Sequence, residues 1–377
     1  MPDSLESHLD RLRNATRPEA IFGPLRGDRD TQLKAARRAF RAIAARIHPD
    51  RYATDPDQEE QATEATQLLN RWWEVAEETI RGGRYGQTRT PPVTPAAPGM
   101  ATLRSSRRAY SVQGVIAAGD LADVYLAHYD DQGVTRRAAV KVGRSPDTAD
   151  LAANEVSALR RLWSADPGEL RVFGAYLPRL IETFRLDDGR RVTVLSYIED
   201  HVTLAEVLKR RPDGVPPEAM AWMFNRVLEV LAWSHDQGVV HGAVLPEHVL
   251  IHPVTHGAVL LDWSYAIEDF GDPTSGPRLT AISAPRRDLY PPEVFAKHPA
   301  TPATDIYMAA QCMVALLGGD PTRPGLPDLP PRVAGVLKAC RLASPLSRYR
   351  DAFELYESFQ DALRATWGPP RYHPFYL

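Results

Sequence analysis

Between residues 32 and 50 the apolar positions Ala36, Phe40, Ile43, Ala44 and Ile47 recur at helical spacing, with Lys34, Arg37, Arg38 and Arg41 on the opposite face. His48-Pro49-Asp50 ends this helix, because the residue before a proline avoids the helical region. An acidic loop with Asp55, Asp57, Glu59 and Glu60 follows. A second helix then runs over 62–80, with Ala65, Leu68, Leu69, Trp72, Trp73 and Ala76 as its stripe. Two antiparallel helices joined by a loop is the simplest arrangement of this pattern. The period is lost over 87–108, where Pro91, Pro92, Pro95 and Pro98 exclude a helix interior and predict a linker. Beyond it, 109–129, 136–143 and 191–199 read as strands around glycines, with a helix over 147–163. From 216 onward helices dominate, over 216–238, 303–319 and 351–367. Strands first and helices later predict an α+β body with two lobes behind a small all-α unit.

Composition narrows this picture. At 377 residues and 44% hydrophobic, the chain is long and apolar enough for two or three cored domains. A net charge of −3 argues against nucleic-acid binding driven by bulk electrostatics. Cys312 and Cys340 both fall inside apolar helical patterns, which reads as reduced, buried thiols. The polar, acidic start is unlike a secretory signal, and the longest apolar run, 306–317, is too short to span a bilayer. The expectation is a cytoplasmic protein without membrane contact.

The basic helix, the H-P-D tripeptide, the polar loop and the second helix together resemble a DnaJ-type J-domain over 18–86. The resemblance implies that Lys34, Arg37, Arg38 and Arg41 dock on an acidic surface of a seventy-kilodalton heat-shock chaperone. It implies that His48, Pro49 and Asp50 engage that chaperone and accelerate its ATP hydrolysis. The plainer reading is a solvated basic face and a turn capped by Asp50.

Residues 109–367 resemble a protein kinase, through motifs in family order. VIAAGDLADVY (115–125) stands where kinases place a glycine-rich phosphate loop, with only Gly119 kept. AAVKV (138–142) supplies Lys141, and Glu155 follows on a helix. LSYIED (195–200) resembles the hinge, and HGAVLPEHVLI (241–251) the catalytic loop. LLDWS (260–264) places Asp262 at the metal-binding aspartate. PPE (291–293) supplies Glu293, expected to pair with Arg348, and Asp305 matches the aspartate that braces the catalytic loop. The resemblance implies that Gly119, Lys141, Glu155 and Asp262 hold ATP, with Asp262 ligating one Mg2+.

The catalytic loop has lost its chemistry. Phosphoryl transfer to a hydroxyl uses a carboxylate as base, and that position is Ala243. Leu245 replaces a lysine, His248 replaces the second metal ligand, and Gly242 replaces an arginine. An imidazole is a poorer partner for hard magnesium than an amide oxygen. His241 is implied as a structural support, and Glu247 as pointing into the helical lobe. These residues predict a pseudokinase with no catalytic residue, a bacterial-type signalling adaptor that binds nucleotide or protein without phosphorylating and couples the J-like module to a partner or client. Two alternatives stand beside it. One is an active atypical kinase or nucleotidyl transferase using Asp262 and one metal. The other is a scaffold subunit without nucleotide. The domains expected are an extension (1–17), the J-like unit (18–86), the linker (87–108), the kinase-like body (109–367) and an aromatic tail (368–377). The tail either packs on the helical lobe or docks a partner.

Overall fold

A computed structural model of the chain describes residues 4–15, 17–52, 55–83, 85–86, 94–95, 102–371, 375 and 377. The chain divides into two compact units, Met1–Thr90 and Pro91–Leu377.

Among its described residues the first unit holds four α-helices: α1 (Leu5–Asn14), α2 (Pro18–Phe22), α3 (Arg29–Ile47) and α4 (Pro56–Arg81). Asp28 caps α3 by accepting from Thr31 N at 2.9 Å, and Asp55 caps α4 by accepting from Asp57 N and Gln58 N. Leu5, Leu9, Leu12, Ala36, Ile47, Leu69, Trp72 and Ile80 are buried, and Trp72 Nε1 donates to Leu12 O at 3.0 Å. Three expectations change here. Residues 5–14 are no mere extension, because the Leu5-Leu9-Leu12 stripe of α1 packs against α4. The unit therefore has more than the two helices expected. The acidic segment is not wholly loop: Asp55 is the cap, and Asp57, Glu59 and Glu60 lie in the first turns of α4, where negative charge suits the helix dipole.

The second unit opens with strands β1 (Thr94–Pro95), β2 (Thr102–Arg104), β3 (Ala109–Ala118), β4 (Ala122–Asp131) and β5 (Val134–Gly143). Helices α5 (Ala149–Leu162) and α6 (Pro167–Phe173) follow, then β6 (Leu180–Arg185) and β7 (Arg191–Ser196). These strands make one antiparallel sheet in the order β1-β3-β4-β5-β7-β6, with β2 also on β3. β2 corrects the expected linker: Thr102–Arg104 is a sheet strand, and Leu103 is buried in the sheet core. Residues 87–93 and 96–101 of the expected linker lie outside the described residues. The sheet curls far enough for Glu182 on β6 to accept from Ser105 Oγ at 2.9 Å and from the Tyr110 hydroxyl on β3.

The helical half contains β8 (Val202–Thr203), α7 (Leu204–Arg210), α8 (Pro217–Asp236), β9 (Val239–Val240), β10 (Val249–Ile251), β11 (Ala258–Leu260) and β12 (Ile267–Glu268). It ends with α9 (Pro292–Phe295), α10 (Pro302–Leu316), α11 (Pro331–Cys340) and α12 (Ala352–Trp367). The second unit's described residues form two apolar cores. Tyr110, Tyr125, Val140, Val142, Val192 and Val194 fill the one under the sheet. Met220, Phe224, Leu231, Met313 and Phe359 belong to the one among the helices. The α+β expectation holds. Cys312 and Cys340 are free and buried, as expected. In the aromatic tail, Phe375 is buried, 6.1 Å from Trp222 between ring centroids, so that ring packs on the helices. Tyr372, His373, Pro374 and Tyr376 lie outside the described residues.

Candidate nucleotide site

Strand alternation positions the lysine. Ala138, Val140 and Val142 of β5 turn into the sheet core, so Lys141 must face the other side. Glu155 reaches it from α5, where it shares the buried face with Ala158, Leu159 and Leu162. A carboxylate on such a face needs a charged partner, and Lys141 Nζ donates to Glu155 Oε2 at 3.1 Å. The same ammonium donates to Asp262 Oδ1 at 2.6 Å and to Ser264 Oγ at 3.0 Å. Asp262 follows β11 in a left-handed conformation (φ 60°, ψ 66°), uncommon for a residue with a side chain and frequent at functional sites.

The charges shift one another. Burial works against the Lys141 ammonium, but Asp262 and Glu155 outweigh it and hold the group above its ordinary value. Burial likewise works against ionised Asp262, but Lys141 and then His248 hold it well below the usual carboxylate range. Burial pushes Glu155 up; Lys141 offsets part of this, and the neighbouring Asp262 charge adds to it. Glu155 Oε1 is buried without a hydrogen-bond partner among the described residues.

The catalytic loop is held from below. Asp305 accepts from His241 N at 2.7 Å and Gly242 N at 2.8 Å, and His235 Nε2 lies 3.0 Å away. His241 Nε2 donates to Leu261 O at 2.9 Å while its Nδ1 accepts from Ala243 N at 3.2 Å, which defines a neutral ring. Burial accordingly pulls His241 down to about 4. His241 thus bridges the Leu261 carbonyl and the Ala243 amide within the loop. Glu293 and Arg348 form the expected buried pair, at 2.6 Å and 2.9 Å, and Arg348 also reaches Ala303 O at 2.9 Å.

Other positions depart from expectation. Gly119 N–H donates to Ala122 O at 3.0 Å, closing the β3–β4 turn instead of pointing free toward a phosphate. Beside it, Asp120 accepts from Ser283 Oγ at 3.1 Å, and Asp123 pairs with Arg144 at 2.7 Å. Gly242 has φ 73°, and a Cβ there would overlap the Tyr265 carbonyl oxygen, so the loop is shaped to exclude a side chain. Glu247 does not point wholly inward: its Oε1 accepts from Arg286 Nε at 2.8 Å and from Nη2, while its Oε2 is buried.

His248 departs furthest. Its Nδ1 donates to Ala243 O at 2.8 Å, and its Nε2 faces Asp262 Oδ2 at 3.3 Å. Both ring nitrogens thus lie close to an oxygen atom. Asp262, expected as the metal ligand, thus has one oxygen on Lys141 and the other against His248. Among the described residues no group of three or more His, Cys, Asp or Glu is arranged to hold a metal ion. Sequence reasoning also passed over Asn154, whose Nδ2 donates to Ser264 O at 2.9 Å and Ala266 O at 2.7 Å, fixing the segment after Asp262 to α5. A polar residue beside Glu155 was its only signal. Trp263 is fully buried against His241, with centroids 4.6 Å apart. A cavity of about 680 Å³ lined by Arg107, Arg160, Trp163, Arg179 and Phe184 contains none of these groups.

In the first unit, Lys34, Arg37, Arg38 and Arg41 are exposed on α3 as expected. Arg37 folds back, 4.0 Å from Glu77 and 5.4 Å from the Trp73 ring centroid. His48 is exposed at the C-cap of α3, and Pro49 opens a 3-10 turn, Pro49–Arg51, that includes Asp50.

No protein-family model matches the chain. It is 23% identical to serine/threonine-protein kinase PknD of Chlamydia pneumoniae over 300 residues, 68% of this chain and 31% of the relative. It is 27% identical to probable serine/threonine-protein kinase PknB of Corynebacterium glutamicum over 275 residues, 65% of this chain and 41% of the relative. It is 24% identical to calcium/calmodulin-dependent protein kinase type 1 of Macrobrachium nipponense over 215 residues, 56% of this chain and 57% of the relative. The chain therefore spans only part of each relative, 31% to 57% of its length. No described helix is long and apolar enough to cross a membrane. The antiparallel sheet and helices of the second unit are compatible with a kinase-like fold, and the relatives indicate a protein-kinase-like domain in this chain.

Proposed function

We propose that this protein is a catalytically impaired, nucleotide-binding adaptor. Its kinase-like domain holds a nucleotide and a protein partner or client, and its J-like unit engages a seventy-kilodalton heat-shock chaperone. The observation that carries the impairment is Ala243: the position a kinase gives to the base is a buried methyl group, unable to take the acceptor proton. The assembled Lys141, Glu155 and Asp262 support nucleotide binding, with Glu155 orienting Lys141 toward phosphate. ATP would supply only a ligand here. Lys141 donates to one oxygen of Asp262 and His248 Nε2 lies 3.3 Å from the other, so a magnesium ion held by Asp262 would share that carboxylate with both.

The names of the relatives equally support a second reading, an active Ser/Thr kinase using ATP and Mg2+. Native mass spectrometry after incubation with ATP and magnesium separates the two. The adaptor predicts a mass increased by nucleotide alone, lost in Lys141→Ala. A covalent phosphate that disappears in Asp262→Ala would overturn it in favour of the kinase. An unchanged mass, with no saturable binding at millimolar ATP in solution, would leave a scaffold. For the J-like unit, the exposed basic face of α3 ahead of His48-Pro49-Asp50 supports chaperone engagement. The full chain should stimulate ATP hydrolysis by its cognate chaperone, and His48→Gln should abolish the effect. A wild-type protein that leaves the chaperone unstimulated would sink that half of the reading.

A further inference from the structure

We propose that the groove along the outer edge of β6 docks an extended acidic peptide of a partner protein, which adds to the sheet as a further strand and lays its carboxylates against Arg107, Arg160 and Arg179. The proposal deepens the adaptor reading, by naming where the kinase-like domain holds its partner, and rests on it. It starts from the cavity of about 680 Å³ that the nucleotide site does not use. Every residue from 179 to 184 lines that cavity. Successive side chains of a strand point to opposite faces, so a hollow touched by all of them follows the edge of β6. Among the described residues β6 pairs with β7 alone, at the end of the strand order. An open edge is a template for another strand. In strand addition, main-chain hydrogen bonds give affinity and alternate side chains give specificity.

The chemistry of the groove selects acidic side chains. Guanidiniums reach it from three segments: Arg107 from the β2–β3 turn, Arg160 from α5, and Arg179 from just ahead of β6. The turn is pinned beside β6, because Ser105 Oγ accepts from Arg107 N at 3.0 Å and donates to Glu182 Oε1 at 2.9 Å. Arg179 lies over Trp163, 4.4 Å from the ring centroid, and the indole is fixed by its own donation to Pro178 O at 3.0 Å. An arginine stacked in this way is pre-organised and keeps its donor fork for a carboxylate.

All three arginines are exposed, and among the described residues none forms a salt bridge. Their sequence neighbours differ: Arg108 pairs with Asp131 at 3.3 Å and Arg161 with Asp269 at 2.8 Å. The unneutralised charge is therefore on the groove side. Glu182 opposes it only in part, since its Oε1 already accepts from Ser105 and from the Tyr110 hydroxyl. Trp163 and Phe184 add apolar surface to the lining. A peptide that alternates acidic with apolar residues matches both features.

The test uses the full chain and a short fluorescein-labelled peptide of alternating glutamate and valine, read by fluorescence anisotropy. Saturable binding with a Kd on the order of 100 μM or tighter is expected. The double variant Arg107→Glu, Arg160→Glu should weaken it at least about tenfold with an unchanged thermal midpoint. Arg179→Gln reads the same groove if the double variant does not fold. Of two peptides N-methylated at alternate residues, one in each register, at least one should bind at least about tenfold more weakly. Two methylated peptides that bind as the parent does would overturn strand addition. A lysine-valine peptide that binds equally well would overturn the charge argument, and tripolyphosphate that binds as tightly would make the groove a plain anion site. Self-association of the chain that the double variant abolishes, with no peptide binding, would assign the groove to a second copy instead. ATP titration of the same samples separates the readings. Binding of ATP without peptide would overturn the proposal and leave the nucleotide-binding reading standing, whereas binding of neither would overturn both.

Discussion

His241 makes the acid sensitivity of the kinase-like domain predictable. Burial lowers its pKa from 6.5 to about 4, so over that interval the unfolded chain takes up a proton that the folded chain refuses. Its contribution is fully present above pH 6.5 and is lost as pH falls toward 4. The shift corresponds to on the order of 3 kcal/mol. Urea midpoints measured across this window should fall with pH in the wild type and fall less in His241→Asn; equal slopes would contradict the neutral buried ring. At this scale the site was partly legible. Lys141, Glu155 and Asp262 were readable from their order and from the strand and helix each occupies, and the structure brings them together. The orientation of His248 was not readable. An imidazole nitrogen is donor or ligand according to what its other nitrogen holds, and that partner, the Ala243 carbonyl, is a backbone atom that no residue letter encodes. Ser264 and Asn154 were missed for a related reason, since serine and asparagine commonly satisfy local turns.

Between elements, two contacts carry measurable weight. Leu9 of α1 is 3% exposed, and the carbonyl of its neighbour Leu12 takes the Trp72 indole. Leu9→Ala should destabilise the first unit by about 2–5 kcal/mol, read as faster amide exchange in α1 and α4; unchanged protection would mean that α1 is not part of the core. The Leu5-Leu9-Leu12 spacing is helical in the sequence itself, but a ten-residue helix is marginal alone. Its partner lies on α4, so nothing local marks it as core. β2 was hidden similarly, because three residues are too few to establish an alternation. The Glu293–Arg348 pair ties α9 to the segment before α12, and both side chains are almost fully buried. Arg348→Met should cost about 3–5 kcal/mol by leaving Glu293 buried without its partner. A denaturation midpoint within error of the wild type would show that the pair is dispensable. This contact was legible, because its two motif positions predicted each other.

For the whole molecule, the decisive feature is that each unit carries its own core, one around Leu69 and Trp72, the other spread over the sheet and the helices. Units with separate cores unfold as separate transitions unless a large interface couples them. Calorimetry of the full chain should therefore show two transitions. Leu9→Ala should lower one and Arg348→Met the other, while a single transition shifted by both variants would show strong coupling. The same variants test how function is shared. If the J-like unit and the nucleotide site act independently, His48→Gln should abolish chaperone stimulation and leave ATP affinity unchanged, and Lys141→Ala should do the reverse. If nucleotide gates the J-like unit, linkage requires a reciprocal effect: ATP must change affinity for the chaperone by the same factor by which the chaperone changes affinity for ATP. Titrating ATP with and without saturating chaperone measures that factor directly. A factor of one makes the protein a tether between two bound partners. A factor above about five makes it a switch whose input is nucleotide.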